Sequence, residues 1–86
     1  MSRHDRTLRA IFAEPTRANI TWDQLRSLLV SLGAILDETR EGSRVYILLN
    51  GVRRMFHKPH PRKEIGKKTV ADARELLADA GIRPRP

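Results

Sequence analysis

Eighty-six residues, 40% hydrophobic and 31% charged, suffice for one small domain with a single core. The absence of cysteine excludes disulfides and thiolate metal sites and fits a reducing compartment. No apolar run nears the ~20 residues of a membrane span and no leader pattern opens the chain, so the expected location is cytoplasmic, away from any membrane.

The formal net charge is +7, and it is not spread evenly. From Arg40 to Lys68 there are nine Lys/Arg and two acids, while the rest of the chain holds eight of each. The whole excess falls in one stretch. A concentrated excess points to a polyanionic partner, most often nucleic acid, whereas a scattered one would serve solubility equally well.

In chain order, residues 1–20 form an N-terminal extension with a short helix. Thr7 is its expected cap, Leu8, Ile11 and Phe12 share a face, and Pro15 stops it. A clear helix begins at Thr21, where Thr21 and Gln24 have capping-box spacing. Trp22, Leu25, Leu28, Leu29 and Leu32 repeat at helical intervals, and Gly33 sits where a C-terminal glycine belongs. Trp22 is in phase with the leucines, which makes it core rather than a stacking platform for a base.

Ala34 to Thr39 reads as a first strand and Arg40 to Ser43 as a turn. Arg44–Leu49 and Val52–His57 read as two strands joined by Asn50-Gly51, a dipeptide suited to a type I′ turn because both positions take positive φ. A two-residue loop pairs Leu49 with Val52 and, counting outward, Arg44 with His57. One face then carries Val45, Ile47, Leu49, Val52 and Phe56, with Arg54 as its single misfit, reaching for an edge. The other face carries Arg44, Tyr46, Leu48, Arg53, Met55 and His57. Pro59, Pro61 and Gly66 break the loop from Lys58 to Lys68. Thr69, with Asp72 three residues on, is the expected cap of a last helix striped by Val70, Ala73, Leu76, Leu77 and Ala80. Gly81 closes that helix, and 83–86 is a tail. The expected fold class is α+β: α-β-β-β-α, two helices on one face of a three-stranded antiparallel sheet, plus the short N-terminal helix.

Most enzyme signatures are missing: there is no Gly-rich phosphate loop, nucleophile elbow or Cys/His metal set. No metal or cofactor is expected. What remains is a basic surface bearing histidine, the minimum equipment for metal-free RNA cleavage. There the 2′-hydroxyl attacks its own phosphate, and the protein supplies an acid–base group and a positive clamp. Arginine stays protonated and cannot be the base, but it holds a phosphate by two donors at once. The candidate catalytic residues are His57, Arg44 and His60. The candidate RNA-binding residues are Arg40, Ser43, Tyr46, Arg53, Lys58, Arg62, Lys63, Lys67 and Lys68, the last two gripping phosphate just ahead of a helix N-terminus. The plainer readings are a solvated strand end for His57 and a loop-shaping residue for His60.

Over residues 21–82 the sequence resembles the HicA family of bacterial toxins. The resemblance lies in the order and spacing of "SLGA" (Ser31–Ala34), "GSR" (Gly42–Arg44), His60-Pro61 with "RKE" after it, and "KKTVADARELLADAGI" (Lys67–Ile82). It implies a fold like the double-stranded RNA-binding domain, mRNA interferase activity and a HicB-like antitoxin partner. The family pattern is Gly-Ser-His with a catalytic histidine; here that position is Arg44. Three outcomes are open: cleavage is lost and binding remains, His57 supplies the imidazole from across the strand pair, or His60 supplies it from the loop. His57 is favoured over His60 because a strand fixes a side chain better than a loop does. A protein-interaction domain whose basic face meets an acidic partner is a third class of reading.

Overall fold

The chain folds around one continuous cluster of buried side chains contributed by every helix and by the hairpin. The computed structural model describes residues 2–38, 42–60 and 62–86. Its elements are α1 (Arg3–Ile11), α2 (Trp22–Ser31), β1 (Ile35–Asp37), β2 (Arg44–Leu49), β3 (Val52–His57) and α3 (Gly66–Asp79). The sheet is antiparallel in the order β1-β2-β3. This is the expected α+β fold, α-β-β-β-α behind a short leading helix.

The hairpin has the expected register throughout, from Leu49 opposite Val52 to Arg44 opposite His57. Asn50 (φ 49°) and Gly51 (φ 82°) are both left-handed, as a type I′ turn requires. The inner face buries Val45, Ile47, Leu49 and Phe56 against Leu25, Leu28 and Leu29 of α2 and Val70, Ala73, Leu76 and Leu77 of α3. Trp22 is 1% exposed and belongs to this core. Arg54, the misfit, reaches α3 and pairs with Asp79 at 2.6 Å and Glu75 at 3.7 Å. The hairpin tip is tied to the same helix, since the Asn50 side-chain amide donates to the Ala80 carbonyl at 2.9 Å.

Both long helices end alike. After α2, Gly33 N–H donates to Val30 O and Ala34 N–H to Leu29 O; after α3, Gly81 donates to Ala78 O and Ile82 to Leu77 O. These are paired Schellman bonds with glycine at the left-handed position. They also explain why β1 starts at Ile35 rather than Ala34: the Ala34 amide is used in closing α2. Thr39 and Arg40, the expected strand end and turn start, lie outside the described residues.

Two caps differ from expectation. Thr7 does not cap α1. Ser2 does, in a capping box with Asp5, and Thr7 is an interior, buried position whose hydroxyl donates to Arg3 O. Ser-x-x-Asp was the local signal for this start. The helix ends at Ile11, ahead of Pro15, where the Arg74 guanidinium of α3 donates to the carbonyls of Ile11 (2.9 Å) and Ala13 (3.1 Å). Nor does Thr69 cap α3. The helix starts three residues earlier, at Gly66, without a side-chain cap. The preceding segment is pinned from a distance: Ile65 N–H donates to Ile20 O, Trp22 N–H donates to Lys63 O, and Ile65 is 8% exposed. That anchoring lets Gly66 (φ 79°) turn directly into the helix.

Candidate nucleic-acid interface

The helices cover only the inner side of the sheet, so the side chains that alternate outward on three strands form one open face. The pairing lays them in rows. Ile35, Leu48 and Arg53 form one row; Asp37, Tyr46 and Met55 the next; Arg44 and His57 the last. Successive rows are two residues apart along each strand, roughly 6.5 Å. Ile35 (66%), Met55 (45%) and Tyr46 (41%) are all exposed, large apolar side chains on a sheet face. Several of these residues, with Arg53, line a shallow open cleft of about 390 Å³.

At the open end of the hairpin, Arg44 and His57 are cross-strand neighbours and both are exposed. A two-residue turn without a bulge puts them there; a slip of one residue would send them to opposite faces. The ladder extends one step further, because Lys58 N–H donates to Ser43 O. Ser43, Arg44, His57 and Lys58 therefore meet at one end of the sheet. Tyr46 and Arg53 lie further along the same face.

His60 is set apart from this group. Its Nδ1 accepts from the Arg62 amide at 3.3 Å, and its carbonyl accepts from Lys63 N–H at 2.8 Å, so it shapes the loop. Arg62 and Lys63 are exposed on that loop. Lys67 and Lys68 are exposed too, but they lie in the first turn of α3 instead of the loop before it, with Lys68 in a loose contact to Asp72 at 3.4 Å. Arg40 lies outside the described residues.

The cations divide by what they already hold. Arg54 is paired with α3, Arg26 with Glu38 at 2.9 Å, and Arg74 with Glu14 at 2.9 Å and the Ile11 carbonyl. Among the described residues, the side chains of Arg44 and Arg53 have no such partner, and their donors face solvent. The net charge thus becomes a directed one, with unneutralised arginines at both ends of the outer face. Sequence reasoning placed Leu48 and Met55 on this face but missed Ile35, because a three-residue strand gives too short an alternation to orient. Its register against Leu48 was the missing signal. Among the described residues, no three His, Cys, Asp or Glu side chains gather as a metal-ligand set, and no helix is long and apolar enough to cross a membrane.

A second cleft, about 580 Å³, lies between α1 and α2 and is lined by Arg3, His4, Gln24 and Ser27 among others, none of them from the hairpin.

No curated protein and no solved structure matches the chain. A family model described as "HicA toxin of bacterial toxin-antitoxin" matches residues 22–82, from the first residue of α2 to just beyond α3, taking in the whole sheet and leaving α1 outside. The chain therefore belongs to the HicA family of toxins of bacterial toxin-antitoxin systems.

Proposed function

We propose that this toxin is a metal-independent endoribonuclease acting on mRNA in the cytoplasm and silenced by a HicB-like antitoxin. The observation that carries the proposal is the cross-strand pair of Arg44 and His57, exposed together at the end of an open face. In this reading His57 takes the proton from the ribose 2′-hydroxyl. The 2′-oxygen then bonds to the adjacent phosphorus, and the bond from phosphorus to the 5′-oxygen breaks. The leaving 5′-oxygen takes a proton from water, which reaches this exposed end, His57 gives its proton to the hydroxide left behind, and a 2′,3′-cyclic phosphate remains. Arg44 holds the phosphate and offsets its developing charge with two parallel donors. Ser43, Tyr46, Arg53 and Lys58 extend the grip along the sheet. Arg62, Lys63, Lys67 and Lys68 extend it along the loop and the uncapped start of α3, where free amides favour phosphate. Arg40 and His60 are secondary members of the same set. Residues 21–82 form the functional unit, and residues 1–20 are an accessory.

The test is RNA degradation by the wild type and by His57→Ala, each with a chelator present. Cleavage that survives chelation and is lost in His57→Ala supports the proposal. His57→Ala cutting as fast as wild type would sink the assignment and make His60 the next residue to replace.

A second reading is favoured by one specific residue. Arg44 stands where the family pattern has histidine, which fits a non-catalytic RNA-binding module with its chemistry lost. If the wild type does not cleave and Arg44→His does, that reading wins.

A further inference from the structure

The outer sheet face carries more than charge. Between the exposed Arg44 at one end and Arg53 at the other, a separation of two rows or roughly 13 Å, stands the row of Tyr46 and Met55 with Leu48 beside it. We propose that this face takes single-stranded RNA and that one unpaired nucleobase stacks on the Tyr46 ring while Arg44 and Arg53 hold phosphates on either side. The inference rests on the RNA reading of the site and deepens it by naming the side chains that take the base and the phosphates.

Three observations support it. The Tyr46 side chain is 41% exposed in mid-sheet, flanked by Met55 at 45%, so the platform is accessible and rimmed by soft apolar surface. The sequence of groups along β2 and β3 is cation, aromatic, cation, which matches the alternation of phosphate and base in an unpaired strand. A duplex stacks its bases on one another and offers this face only phosphates, leaving the apolar row uncovered. Finally, both arginines stand on β2 and β3, with Asp37 at the β1 end of the Tyr46 row, so the phosphates are placed along those two strands.

The experiment measures binding of the full chain to three fluorescent strands at fixed salt. One is a single strand of 2′-O-methyl RNA, which lacks the attacking hydroxyl and is not consumed; the second is the same sequence paired into a duplex; the third is an abasic strand of equal length. The proteins are wild type, Tyr46→Phe, Tyr46→Ala and Arg53→Ala, each checked for an unchanged melting curve. The single strand should bind wild type and Tyr46→Phe alike and Tyr46→Ala about tenfold more weakly or worse. The abasic strand should not distinguish Tyr46→Ala from wild type. Equal binding of Tyr46→Ala and wild type to the single strand would overturn the proposal, as would a duplex bound as tightly as the single strand. A Tyr46→Ala protein that keeps its RNA affinity but no longer binds a co-expressed antitoxin would assign the face to protein docking and also overturn it. Failure of the underlying RNA reading is distinct: none of the three strands would bind, and Arg53→Ala would change nothing.

Discussion

At the scale of single residues, the hairpin carries both paired and exposed cations. Arg54 has carboxylate partners and holds the hairpin to α3, while Arg44 is exposed beside an imidazole. Replacing each should therefore have different consequences. Arg44→Ala is expected to weaken both RNA binding and cleavage while leaving the melting temperature unchanged. His57→Ala is expected to lower the cleavage rate by about 10²- to 10⁴-fold, the usual contribution of a positioned acid–base group, with RNA affinity nearly intact. Single-turnover cleavage and equilibrium binding on the same RNA separate the two. Trp22 is the contrasting case. It is 1% exposed in the core, so Trp22→Ala should cost about 3–5 kcal/mol in denaturant unfolding and act on RNA only through the loss of folded protein.

At the scale of elements, α1 is held at both ends by different means. At its start, hydrogen bonds from Ser2, the hydroxyl first and the amide second, keep the Asp5 carboxyl below its usual pKa. A depressed pKa means that the ionised form is the stabilising one. Its contribution is complete above the ordinary carboxylate range and is lost as pH falls through the lowered value. Acidification should therefore fray the first turn of α1 before the sheet melts, which amide hydrogen exchange along α1 would reveal. At its end, the Arg74 guanidinium donates to the carbonyl of Ile11 and, just past the helix, that of Ala13, and pairs with Glu14. Arg74→Ala leaves those carbonyls without their charged donor. It should cost about 1–3 kcal/mol, with faster exchange confined to residues of α1. The hairpin turn is the other sensitive element. Gly51→Ala forces a Cβ into φ 82° and should cost about 1 kcal/mol.

At the scale of the whole molecule, the packed helical side leaves the sheet side as the face open to the proposed RNA. RNA that meets only the outer face and the start of α3 neutralises a few phosphates. Each should add roughly −0.7 to the slope of log affinity against log salt for a single strand, so four contacts give a slope of about −3. A titration from low to moderate salt measures this directly, and a flat response would remove nucleic acid as the partner. The matched residues 22–82 take in the sheet and its two covering helices. The preceding helix packs on α2 and α3, with its last carbonyl, Ile11 O, held by Arg74.

The sequence by itself determined what short-range chemistry decides. Asn50-Gly51 admits one tight turn, that turn sets the register, and the register puts Arg44 beside His57. Thr21 with Gln24 starts α2, and Gly33 and Gly81 stop α2 and α3, because caps and left-handed residues act within a few positions of themselves. The tertiary structure alone decided whatever depends on segments far apart in the chain. Arg74 reaches Ile11 across 63 residues. Ile65 is fastened to Ile20, which moves the start of α3 from Thr69 to Gly66 and brings Lys67 and Lys68 into its first turn. Ile35 joins the open face only because β1 pairs with β2, and Arg54 finds its carboxylates only when α3 crosses the hairpin. Periodicity reports which side chains share a face of their own element; which face of another element they will meet is settled by packing.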